Sequence, residues 1–259
     1  MPVISLNLKT LQPLLATSFQ GDPNSDVSYD YIPGSMIRGA LIGRYLKNYG
    51  ASELDLTKEE IKRLFFDSNK TRYLNAYLRS KKGKYRTLPS PQSWYKEKGA
   101  EFIGEQSISI YDLSIEQDDE QDDEPKPLKS VSGQFCIFEQ GYMRFYQPDR
   151  RINVHNKRDR RKGRSAKREE KPESEGEIFR YDALDAGQVF QSIILCEEND
   201  LSLFEKLLIQ SDLWLGGSRS AGYGHTQLSY EIHNDLDWQE VQTFGDDELD
   251  SDDIVVTLL

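Results

Sequence analysis

Residues 214–225, WLGGSRSAGYGH, constrain this chain more than any other stretch. Gly216, Gly217, Gly222 and Gly224 alternate there with Ser218, Arg219 and Ser220. Glycine enters the positive-φ region without steric cost and lets another backbone come close. A run built this way is a sharp, irregular connection. Its successive N–H groups can converge on one anion, and Arg219 adds a planar fork of donors matched to phosphate. An apolar, helix-like run (201–215) precedes it and an alternating, strand-like run (225–232) follows, so it reads as a loop between helix and strand. It lacks the GK[ST] of a Walker loop and does not lead from a strand into a helix as a dinucleotide fingerprint does. Two readings stay open: an anion-binding loop, or a tight turn with no ligand.

Charge bears on that choice once it is located along the chain. The formal net charge is −11. Residues 116–124 (EQDDEQDDE) hold seven carboxylates and residues 246–253 (DDELDSDD) hold six. Without those thirteen, 31 of the 44 acidic residues remain against 33 Lys and Arg, so the body is near neutral. The two acidic runs read as solvated loop or linker. Residues 149–171 (DRRINVHNKRDRRKGRSAKREEK) carry eleven Lys or Arg and four acids, which fits either a nucleic-acid partner or a basic insertion. No apolar run approaches the ~20 residues of a membrane span.

Read in order, residues 3–11 alternate with the two-residue period of a half-buried strand. A long Gly/Pro/Asp segment then holds Asp22, Asp26 and Asp30; loops of that length are often functional. Pro33 and Gly34 break the chain, and Ser35 is expected to cap a helix running to about Tyr49. Gly39 and Gly43 share one face of it and predict close packing there. The helix start offers N–H groups to a phosphate, with Arg38, Arg44 and Lys47 either serving the same ligand or solvated. Residues 57–66 predict a second helix capped by Thr57, and 72–79 a strand. Residues 83–98 read as an aromatic loop whose Trp94 and Tyr95 either stack on bases or anchor the loop. Further strands are expected at 106–113, 133–138, 141–146, 178–184 and 188–196, and a helix at 201–211. Cys136 and Cys196 lie in apolar runs and read as buried free thiols of a reducing compartment. This order argues for an α+β fold, and a ferredoxin-like or RRM-like βαββαβ core with large insertions fits it. The expected layout is one domain over 1–240, with insertions near 114–130 and 150–176. An acidic linker over 241–253 and an apolar strand-like run, 254–259, would follow it; that run is expected to open a second domain.

Several stretches together resemble a known family. They are YIPGSMIRGAL (31–41) with the loop before it, RYLNAY (72–77), TLPSPQSWYKEK (87–98), VHNKRDR (154–160), GEIFRYDALDAGQVF (176–190) and GGSRSAGYGH (216–225). In that order they resemble a RAMP (repeat-associated mysterious protein) subunit of a type III CRISPR effector complex, and within it the III-D subunits of the Csx group. The resemblance covers most of residues 3–232. It implies an RNA-binding subunit of an antiviral ribonucleoprotein complex in the prokaryotic cytoplasm, with CRISPR RNA, target RNA and other effector subunits as partners and no membrane. The RAMP core would grip the guide along its backbone or by its 5′ tag. The contacts it implies are Ser35, Arg38 and Arg44 on the first helix, and Gly216, Gly217, Ser218, Arg219, Ser220, Gly222, Tyr223, Gly224 and His225 at the loop. His155, Arg158, Arg160, Arg161 and Lys162 would belong to a thumb-like basic insertion, and 254–259 would open a second RAMP domain.

Two other functions remain open at this stage. One is an endoribonuclease that cuts guide-paired target RNA through a loop aspartate, Asp26 or else Asp22 or Asp30. Mg²⁺ is the one cofactor such chemistry would call for. Guide processing would instead want a histidine base, from His155, His225 or His233. The other is a protein-interaction domain whose acidic runs dock a basic neighbour without touching RNA.

Overall fold

The structure, a computed structural model, describes residues 2–17, 25–80, 86–101, 107–114, 127–131, 135–139, 142–156, 158–159, 164–165 and 178–233. The chain divides into two compact units, Met1–Tyr77 with Pro148–Leu259, and Leu78–Gln147.

In the first unit β1 (Val3–Thr10), β2 (Ser25–Val27), α1 (Gly34–Tyr49), α2 (Glu59–Phe65) and β3 (Arg72–Tyr73) come first. After the second unit follow β4 (Arg150–Asn156), β5 (Ile178–Leu184), β6 (Val189–Leu195), α3 (Leu201–Leu208), β7 (Asp212–Trp214) and β8 (His225–His233). The main sheet runs β7-β8-β1-β6-β3, every neighbouring pair antiparallel. The alternation of β1 has its physical cause in that position. Ile4, Leu6 and Leu8 are fully buried beside Ile194, Phe190 and Leu228 of the flanking strands. Ile37 and Leu41 of α1 and Phe204 and Leu207 of α3 are buried too, each such side chain contributing about 1.5–3 kcal/mol. A second sheet, β4-β5-β2, pairs β4 with β5 antiparallel and β5 with β2 parallel. The protein is thus mixed α+β.

The second unit is built from short antiparallel pairings. Phe135–Glu139 and Tyr142–Tyr146, where strands were expected, pair antiparallel. Trp94–Glu97 lies between Tyr111–Asp112 and Leu128–Ser130. The Trp94 indole N–H donates to Asp112 Oδ2 (2.9 Å) and its ring meets Phe145 edge-on, so within this unit Trp94 is an anchor. Of the strand expected at 106–113, residue 106 lies outside the described residues, and within 107–113 Tyr111–Asp112 is strand.

Local differences from the sequence expectations have identifiable causes. Ser35 does not cap α1; Pro33 stands at the cap position, and the Gly34 N–H donates to Asn75 Oδ1 (3.0 Å). Gly34 is glycine because a Cβ there would sit 2.0 Å from the Tyr73 carbonyl oxygen. Gly39 and Gly43, expected to pack closely, are exposed and face open space. Thr57 lies before α2, where its hydroxyl donates to Asp55 (2.5 Å). The run 72–79 breaks after Tyr73: Leu74 N–H still donates to the Ile193 carbonyl of β6, but Ala76 N–H donates to the Ile32 carbonyl, away from that strand. The start of the basic block is strand: Arg150–Asn156 is β4, in full register with β5. Both cysteines are free and buried, and burial pushes Cys196 up to about 12. Among the described residues no helix is long and apolar enough to cross a membrane.

Candidate nucleic-acid interface

A short strand intervenes before the glycine run, so the loop joins β7 to β8 as a hairpin instead of leaving a helix. Its base is clamped. Gly224 N–H donates to the Pro13 carbonyl (2.9 Å) and Leu215 N–H to the Gly224 carbonyl (2.9 Å). Gly216 (φ +69°) and Gly224 (φ +86°) have no room for a side chain, since a Cβ would lie 2.2 Å from Leu15 O and 2.1 Å from Leu215 O. At the tip Gly217, Arg219, Ser220, Ala221 and Gly222 are exposed. Ser218 holds a left-handed conformation (φ +56°), the one such non-glycine among the described residues, and its hydroxyl donates to the Tyr181 hydroxyl (3.0 Å). Strain of this kind costs about 1–2 kcal/mol and persists where the surroundings impose it. Arg219 spends one N–H on the Trp214 carbonyl (3.2 Å) and is otherwise exposed.

Tyr223 fastens the tip to the second sheet. Its ring is buried with Leu15 and Ala183. Its hydroxyl accepts from Asn153 Nδ2 (2.8 Å) and lies 2.8 Å from His155 Nε2. The Tyr223 hydroxyl donates to His155 Nε2 or accepts from it according to the imidazole tautomer. His155 stacks on Phe179 and tilts against Tyr181, which meets Tyr223 edge-on.

Asp26 lies in β2 and not in an open loop. Its register partner is Tyr181, whose partner across β5 is Asn153. Asn153, Tyr181 and Asp26 therefore form one row across one face of the sheet, with His155 and Phe179 in the next row. Asp26 is exposed, and among the described residues it pairs with no cation. Asp30 is bound up in the fold: it ion-pairs with Arg150, which also donates to Asp182 Oδ1 (2.9 Å) and the Ser28 carbonyl (2.9 Å). Asp22 lies outside the described residues.

The remaining sequence candidates separate. Arg44 is not a surface contact. It is buried, and Nη1 and Nη2 donate to the Leu207 and Asp212 carbonyls, each at 2.6 Å. Burial draws its pKa below the ordinary arginine value. Ser35 is exposed, and with Arg38 it lines a shallow pocket beside Arg72 and Tyr73, with no residue of the glycine loop. Arg38 also donates to the Phe65 carbonyl (3.3 Å). Arg158 lies in Arg158–Asp159, paired with Arg164–Ser165; Arg160, Arg161 and Lys162 lie outside the described residues. His225 Nε2–H donates to Asp212 Oδ1 (2.8 Å), and His233 pairs with Ser5 Oγ (3.0 Å). Asn153, Phe179, Tyr181 and Trp214 were missed by sequence reasoning. The alternation of FRYDA places Phe179, Tyr181 and Ala183 on one face and could have found two of them.

A family model described as the RAMP superfamily matches residues 7–227. No curated protein matches the chain. Among solved structures, similarity extends to a chain of the type III-B Cmr-beta complex bound to cognate target RNA. It is 14% identical over 88% of this chain and 96% of that one, with a TM-score of 0.45. Oligomeric Cmr4 from Pyrococcus furiosus is 12% identical over 91% of this chain and 100% of that one, with a TM-score of 0.39. A chain of a type IV-B CRISPR complex is 12% identical over 95% of this chain and 97% of that one, also at 0.39.

Proposed function

The chain belongs to the RAMP superfamily, and from that premise we propose that it is a CRISPR RNA-binding subunit of a type III, III-D-like effector complex, gripping the guide by its backbone or 5′ tag. The observation that carries this reading is the loop itself. Its base is clamped by close backbone approach, while its tip presents Gly217, Arg219 and Ser220 to solvent. A cationic, backbone-rich tip tracks a phosphate chain without reading sequence. The thumb-like insertion after β4 would extend the contact. A ferredoxin-like βαββαβ core is supported by the strand order β8-β1-β6-β3, with α1 after β1 and α3 after β6.

Arg219→Ala tests the reading. It is expected to bind guide RNA more weakly while staying folded, with the slope of log K against log salt reduced by about 1. An unchanged slope in the folded variant returns the loop to a plain connector and favours a protein-interaction domain.

A second reading, target-RNA cleavage, is favoured by one observation: Asp26 is exposed on the sheet face that carries His155 and Tyr181. Mg²⁺ sites of nucleases use one or two carboxylates completed by substrate phosphates, so Asp26 could supply the protein's share. Among the described residues no three His, Cys, Asp or Glu side chains gather into a metal site. Asp26→Ala is expected to leave guide binding intact and to remove one metal-dependent cut in guide-paired RNA. An identical cleavage ladder removes catalysis and leaves binding.

A further inference from the structure

Trp214 and His225 are register partners at the loop end of the β7–β8 hairpin. Their rings lie parallel, 7° apart with centroids at 4.5 Å, and Asp212 Oδ1 holds His225 Nε2 at 2.8 Å. The ring pair is therefore fixed on two sides, by strand pairing and by the carboxylate. Trp214 is nevertheless 41% exposed. A large aromatic left in water beside the glycine loop does little for the core, because Leu213 and Thr226 point to the buried side of the same hairpin. Its surroundings are polar and mixed in charge, with the exposed Asp212 carboxylate on the same face. Arg219 donates to the Trp214 carbonyl, and exposed Gln227 and Lys9 lie in the next row of the same sheet face.

We propose that Trp214, backed by His225, is a stacking platform for one unpaired base of the RNA strand whose phosphates the glycine loop holds. An exposed indole beside a guanidinium matches the two parts of a nucleotide, a planar base and its phosphate, and it is tolerant of sequence because every base has a π-face. Arg219 holds the strand and Trp214 seats a base; Asp212 acts only as a positioning residue that sets the plane of His225. The platform rests on the RNA-binding reading above and adds a specific contact to it.

The test compares binding of a uridine oligomer with an abasic oligomer of equal length, using the full chain, its Trp214→Leu and Trp214→Phe variants, and Arg219→Ala. Wild type should prefer the uridine oligomer by about tenfold and show tryptophan fluorescence quenching on binding it. Trp214→Leu should lose the preference while still binding the abasic oligomer, and Trp214→Phe should keep part of it. Arg219→Ala should weaken both oligomers alike. If Trp214→Leu, folded by circular dichroism, keeps the full uridine preference, the pair is only a cross-strand contact and the platform is overturned while RNA binding stands. If wild type binds neither oligomer, RNA binding itself falls and the platform with it.

Discussion

Gly224→Ala is expected to abolish the native fold of the first unit or to destabilise it by at least ~4 kcal/mol. Two costs coincide at this residue. Its φ of +86° is disfavoured for any L side chain, and the added Cβ would stand 2.1 Å from the Leu215 carbonyl oxygen. That oxygen is backbone in the facing limb of the hairpin, so it cannot swing away as a side chain could. Moving Gly224 would also break its N–H bond to Pro13 O. Gly222→Ala is the control. Its φ is also +86°, but a Cβ there meets nothing within 4 Å, so only the left-handed penalty of ~1 kcal/mol applies. Urea midpoints of the two variants measure the contrast. Equal midpoints would mean that the loop base is not clamped as described.

Arg44→Met is expected to cost about 3 kcal/mol in stability and nothing in RNA affinity per folded molecule. Methionine keeps much of the volume and removes both donors. The Leu207 carbonyl belongs to the last turn of α3, where no intrahelical partner is available, and Arg44 supplies that partner at 2.6 Å. The second donor reaches the Asp212 carbonyl where β7 begins. One guanidinium therefore ties α1 to the end of α3 and to the start of the hairpin that carries the glycine loop. A denaturation midpoint at the wild-type value would overturn this account, and weakened RNA binding without lost stability would return Arg44 to the interface.

What could be read in the sequence followed from periodicity and composition. β1, β5, β6 and β8 alternate or run apolar because one face of each is buried, and a helical pattern marked α1 and α3. The helix cap escaped because Asn75, 41 residues on from Gly34, supplies the acceptor. The role of Arg44 escaped for a similar reason: its acceptors lie over 160 residues away, and an isolated arginine on a helix looks the same whether it faces water or carbonyls. The glycine loop was legible as a loop with an exposed cation. That Tyr223 binds it to Asn153 and His155 was not, since residues some 70 positions apart meet only once β4 and β5 are paired.

The pairing of β1 also bears on when the site comes into being. β1 is flanked by β6 and β8, with Leu8 opposite both Phe190 and Leu228. During synthesis, at about 5–20 residues per second, its apolar face waits many seconds for its neighbours. The glycine loop and β8 are made last among these parts, and the loop's clamp needs Pro13 and Leu15, which follow β1. A nascent chain therefore has no assembled loop until late, so the RNA grip proposed above would arrive with the finished sheet. On that reading, an RNA-loaded subunit is one in which Pro13 and Leu15 have already met the glycine loop.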